Sequence, residues 1–138
     1  MSTITSPVIA AGRDTRQSRP MPDRLAWLLL ALLHAPPALA LVRPAMIGTL
    51  YGVGGDSPAF PLLQHRAALF AAVMLICLWA MADPRVRRLA SVACAISMIS
   101  FLLLYGLAGA PPALATIALA DLLFLPVLAF AGWRAFRS

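Results

Sequence analysis

The chain is expected to be all-α, an integral membrane antiparallel four-helix bundle, and three observations predict it. Of 138 residues, 62% are hydrophobic and the mean hydropathy is +0.87. Only 12% are charged, about half the share usual in soluble domains, which leaves too little polar surface for a water-soluble fold. Four apolar runs then recur at close to the ~20 residues needed to cross a bilayer, and Pro, Gly and Arg punctuate them. None alternates apolar and polar residues with period two, so a transmembrane barrel is not predicted.

Residues 1–20 are polar and hold Arg13, Arg16 and Arg19. They cannot bury a core and are expected to form a disordered cytoplasmic tail, leaving 21–134 as the membrane domain. The spans are expected at about 25–42, 64–82, 88–107 and 112–132. Pro22 and Asp23 suit the start of the first, and Arg43-Pro44 closes it. The second follows Asp56-Ser57-Pro58, an N-cap followed by Pro in the first turn. The third opens after Asp83-Pro84 and Arg85, Arg87 and Arg88. The fourth opens after Pro111-Pro112 and closes at Trp133 and Arg134. The one long connection, Arg43 to Gln64, suits a short interfacial helix over Ala45 to Leu50. Its Gly-rich stretch lacks the Lys-Ser/Thr of a P-loop and serves the chain's turn into the second span.

Orientation follows from Arg, since the chain has 11 Arg and no Lys. Nine lie in the tail, the connection between the second and third spans, and the C-terminus; only Arg43 and Arg66 lie on the other side. The positive-inside rule then places both termini in the cytoplasm of a bacterial inner membrane. It also explains the pI near 11.1 without nucleic acid, which is not expected as a partner. Trp27, Trp79 and Trp133 all fall near the cytoplasmic ends, as an aromatic belt would place them. An alternative reading makes Leu25 to Leu33 the core of a signal peptide cleaved near Ala38-Leu39-Ala40. That would leave three helices and remove His34.

A few polar residues interrupt the apolar runs. An Asp inside a span costs roughly 2.5–3.5 kcal/mol on insertion scales and is a functional candidate by default. Asp121 lies nine residues into the fourth run, about 14 Å at 1.5 Å per residue, and is expected near mid-bilayer. His34 is ten residues beyond Arg24, about 15 Å by the same rise, at a matching depth. His65 and Arg66 precede the second apolar run, with Arg66 able to lean toward Asp121. Together, His34, His65, Arg66 and Asp121 suggest a polar site between the first, second and fourth spans, with Tyr51 and Tyr105 at its mouth. The same residues also suit a structural tie, the reading favoured here, because interhelical hydrogen bonds hold membrane helices together. Pro36-Pro37 after His34 and Pro126 in the fourth span are expected to kink their helices.

The remaining chemistry is sparse. Cys77 and Cys94 each lie six residues from the connection between the second and third spans, at matching depth. They form no C-x-x-C pair and read as small hydrophobes. Ser91, Ala93, Ser97 and Ser100 look like a small-residue packing face. Two separate His and no Glu make a metal site poor, and no cofactor is expected.

Leu50-Tyr51-Gly52, Asp56-Ser57-Pro58 and Leu63-Gln64-His65-Arg66-Ala67-Ala68-Leu69-Phe70 resemble a pattern found in a family of small uncharacterised bacterial four-helix membrane proteins. His34 before a Pro and Asp121 in the last span resemble that family too, so the likeness covers most of 25–131. It implies the four-helix fold and no established activity. Members are sometimes called phosphopantetheine adenylyltransferases. That enzyme needs a Thr/Ser-x-Gly-His motif, and neither His34 nor His65 follows Gly, so adenylyltransferase activity is not expected. DoxX-like proteins are a looser resemblance. The expected function is a non-enzymatic accessory or lipid- or small-ligand-binding bundle, in contact with the bilayer and working as a homodimer or in a larger membrane complex. The alternative is a small proton-coupled transporter using Asp121 and His34.

Overall fold

The computed structural model describes residues 21–137; the expected tail, 1–20, lies outside the described residues. The described chain is all-helical: α1 (Met21–Leu39), α2 (Ala45–Tyr51), α3 (Phe60–Ala82), α4 (Arg87–Leu107) and α5 (Ala115–Arg137). Single 3₁₀ turns at Pro84–Val86 and Pro112–Leu114 lead into α4 and α5. Helices α3, α4 and α5 are each long and apolar enough to cross a membrane. Helix α1 is not among these three, because Asp23, Arg24, His34 and the Pro36-Pro37 pair dilute its 19 residues.

The four long helices enclose one core. Helix α1 packs on α3 and α5, and α4 packs on α5 and α3. On α1 the buried residues are Asp23, Ala26, Trp27, Leu30, Ala31, His34 and Ala38, a stripe at the three- and four-residue spacing of one helix face. Against it lie Cys77 and Ala80 of α3, Ala90, Cys94 and Met98 of α4, and Leu128, Ala131 and Ala135 of α5. The thiols of Cys77 and Cys94 meet at Sγ–Sγ 3.2 Å, so the matching depth read from the sequence becomes a contact. The core is rich in Ala, whereas Leu62, Leu75, Leu89, Ile96, Leu103 and Leu123 are exposed. Small residues inside let helices approach closely, and large apolar residues outside suit a lipid solvent.

Helix boundaries follow local chemistry. Asp83 sits in extended backbone and its Oδ1 accepts from the Arg85 amide at 2.9 Å. Pro84 follows in the first turn, where its missing N–H costs nothing, so only four residues, 83–86, separate the end of α3 from the start of α4. Helix α3 begins later than the expected Asp56 cap. Ser57 Oγ accepts from Ala59 N at 3.2 Å in a separate turn, and Phe60 opens the helix with Pro61 behind it. The expected short helix is present as α2. Gly52 ends it at φ +68°, the left-handed conformation that suits Gly. Ile47 then buries fully against Ala40 and Ala67, with Leu50, Tyr51 and Phe60 around them.

The termini of α1 and α5 and the α3–α4 turn meet at one end, here called the basic end. There Asp23 accepts from Arg87 Nη1 at 3.1 Å and from Arg134 Nε at 3.0 Å and Nη2 at 3.3 Å. These contacts make consecutive long helices antiparallel. They also revise two readings of the sequence. Asp23 is a hub buried at 5% exposure rather than only a helix start, and Arg87 and Arg134 serve it as well as the surface charge. Trp27 is 1% exposed and belongs to the core, whereas Trp79 and Trp133 are exposed as a belt requires.

Candidate functional site

The opposite end, where α2 docks, holds the polar residues singled out in the sequence. Arg66 is six residues after the start of α3 and Asp121 six after the start of α5, so each lies about 9 Å below its helix start. His34 lies five residues before the end of α1, about 8 Å down by the same rise. All three therefore share a depth. Asp121 is not at the middle of its helix, because the residues before Ala115 form a 3₁₀ turn and sixteen residues follow it.

A pocket of about 190 Å³ collects these groups. Its lining includes His34, Pro36 and Pro37 of α1, Leu50 and Tyr51 of α2, Arg66 and Phe70 of α3, Phe101 of α4, and Thr116 and Asp121 of α5. Four of the six candidates, His34, Tyr51, Arg66 and Asp121, thus converge as the sequence suggested. His65 does not join them. It is exposed, because one residue along a helix rotates a side chain about 100° away from Arg66. Tyr105 lines a second, larger cavity instead.

That second cavity is a groove of about 500 Å³ between α3 and α4, lined by Leu69, Phe70 and Val73 on one side and by Ala93, Ile96, Ser97, Ser100, Phe101, Leu104 and Tyr105 on the other. From Ala93 to Tyr105 it runs twelve residues along α4, about 18 Å. Ser97, Ser100 and Ala93 face this groove rather than forming a packing face; of the small residues named, Ser91 is buried and faces Gly132 of α5. Ser100 Oγ turns back to the Ile96 carbonyl, which hides its polarity within the helix. Arg66, Phe70 and Phe101 line both cavities.

Arg66 is held by π-systems. Its guanidinium carbon is 5.2 Å from the Phe70 ring centroid and 5.5 Å from that of Phe101, within cation–π range. Its charge acts on Asp121 and on Tyr51, yet Arg66 and Asp121 do not form a contact ion pair. Among the described residues, the N···O ion pairs within 4.0 Å both belong to Asp23. Burial pushes the Tyr51 phenol up, with the charge of Arg66 opposing, so the hydroxyl stays a donor at neutral pH.

His34 is fastened within its own helix. Its Nδ1 lies 2.8 Å from the Leu30 carbonyl, which can only accept, so Nδ1 carries the proton. That leaves Nε2 as the acceptor in the neutral ring. Phe70 packs on the imidazole at 5.9 Å between centroids. Two residues further on, Pro36 and Pro37 form part of the pocket wall while α1 continues to Leu39.

Protein-family models, curated proteins and solved structures give no match to this chain. The site's chemistry must therefore be read from its own residues. Among the described residues, no group of three His, Cys, Asp or Glu is placed to hold a metal ion. What the geometry offers is a small pocket with one cation and one anion, sharing Arg66, Phe70 and Phe101 with a long apolar groove.

Proposed function

We propose that the chain is a non-enzymatic, four-span integral membrane protein that binds an amphipathic, lipid-like ligand. The observation that carries this reading is the sharing of Arg66, Phe70 and Phe101 by the polar pocket and the apolar groove. A ligand with a polar head and a hydrocarbon tail matches that pairing, and the groove's length of about 18 Å is close to half of a ~30 Å hydrocarbon core. Helix α1 is taken as the fourth span. It buries Trp27, Leu30 and Ala31 in the core, so its removal as a signal peptide would strip the packing of α3 and α5. Nine of eleven Arg on one side support a cytoplasmic basic end in a bacterial inner membrane. The groove side of α3 and α4 is also open to a homodimer or a larger complex.

The test is lipid retention. The protein is purified in mild non-ionic detergent, and bound lipid per chain is measured by mass spectrometry for the wild type and Ser97→Phe, which fills the groove. Stoichiometric lipid on the wild type and its loss from S97F are expected. Equal lipid on both would refute the reading. A second reading, a proton-coupled transporter, draws on the presence of His34 and Asp121 in one pocket. Proton uptake into proteoliposomes that disappears in Asp121→Asn would favour it over simple binding.

A further inference from the structure

The two charges of the pocket say more about the head group than its polarity alone. Arg66 and Asp121 are the charged side chains lining it, one of each sign, at the same depth on α3 and α5. The charge of Arg66 acts on Asp121, but no contact ion pair joins them. Phe70 and Phe101 lie within cation–π distance of the guanidinium carbon, and neither ring is an oxygen acceptor, which leaves its N–H donors for one. In an apolar surrounding, two opposite charges left apart are costly unless something between them satisfies both.

A simple anion would meet Arg66 but would also face the Asp121 carboxylate. A simple cation has the reverse difficulty. A head group bearing both signs satisfies both ends. Resting on the proposed lipid-binding function, we propose that the pocket takes a zwitterionic aminophospholipid head, with its phosphate on Arg66 and its primary ammonium on Asp121. The Tyr51 hydroxyl supplies a further donor for phosphate oxygen, and the Thr116 hydroxyl lies on the same wall as Asp121. A primary ammonium is favoured over a quaternary one because a carboxylate rewards N–H donors. The tail follows Phe70 and Phe101 into the groove, which fixes the lipid as the source of the head group rather than a soluble zwitterion.

The full chain in nanodiscs containing equal parts of phosphatidylethanolamine, phosphatidylglycerol and phosphatidylcholine with identical acyl chains provides the test. Native mass spectrometry reads which lipid stays bound. The wild type is expected to retain phosphatidylethanolamine about ten- to a hundredfold over the other two, the range set by one charge-assisted hydrogen bond. Asp121→Asn should abolish that preference and raise phosphatidylglycerol. Arg66→Gln should lose both phosphatidylethanolamine and phosphatidylglycerol. Equal retention of all three by the wild type, or a preference unchanged in D121N, overturns the zwitterion assignment while leaving lipid binding intact. No lipid retained above the groove-filled S97F level overturns the underlying reading. The wild-type selectivity stands as a measurement even if a variant fails to fold.

Discussion

Replacing Asp23 by Ala probes the basic end, where one carboxylate answers two guanidinium groups. The two partners differ sharply in exposure. The Arg87 side chain is 8% exposed and that of Arg134 is 43% exposed. With Asp23 gone, Arg87 keeps one protein partner, the Ala80 carbonyl accepting from Nε at 3.1 Å. Its Nη2 is already buried without one. A buried charge stripped of its counter-ion costs about 3–5 kcal/mol. The Arg134 pair, half in solvent, contributes about 0–1 kcal/mol. Asp23→Ala should therefore destabilise by several kcal/mol, and Arg134→Ala by about 1 kcal/mol or less. The double variant Asp23→Leu with Arg87→Met should recover most of the loss, because it removes both buried charges together. Unfolding in mixed micelles, followed by tryptophan fluorescence, measures this; Trp27 lies one turn from Asp23 and is 1% exposed. A D23A loss no larger than that of R134A, or a double variant no better than D23A, would refute the burial argument.

Other consequences are simpler to check. Cys77 and Cys94 are fully buried, so a maleimide should label neither in the folded protein and both after denaturation. His65→Ala should leave lipid retention unchanged because His65 is exposed and outside the pocket, whereas His34→Ala should reduce it. Truncating Leu30, which is 0% exposed in the shared core, to Ala should cost about 2–5 kcal/mol in the same micelle assay. A reporter active only in the cytoplasm, fused after Ser138, should be active if the basic end faces inward; an inactive fusion would reverse the proposed orientation.

Much of the architecture was legible in the chain. Three of the four expected spans correspond to α3, α4 and α5, because apolar runs of bilayer length have few alternatives to helix. Their boundaries were set by Pro and Asp in positions read directly from the sequence, as at Asp83-Pro84. The start of α3 was misplaced because Ser57 caps its own small turn, which competes locally with helix. The polar site was partly legible. An Asp, an Arg and a His inside apolar runs stand out by type, and depth counting brought them close. Depth alone does not give azimuth, so His65 was grouped with Arg66 although it points elsewhere.

The Asp23 cluster was missed because Asp23, Arg87 and Arg134 lie at span ends, where charge looks ordinary. Each has a local explanation: helix start for Asp23, positive-inside flank for the arginines. Their partnership spans 64 and 111 residues of chain, and no local pattern reports it. The spacing of the stripe on α1, which includes Trp27, was a signal that could have assigned Trp27 to the core. By itself, then, the sequence determined the helical class, the positions of the long apolar helices and the residue types that polar chemistry would use, because composition and periodicity act over a few turns. The tertiary structure alone decided which of those residues meet. It placed Arg66 in the lining of both pocket and groove, left it apart from Asp121, and turned Asp23 into the tie at the other end, since such meetings depend on helix rotation and crossing rather than on any one segment.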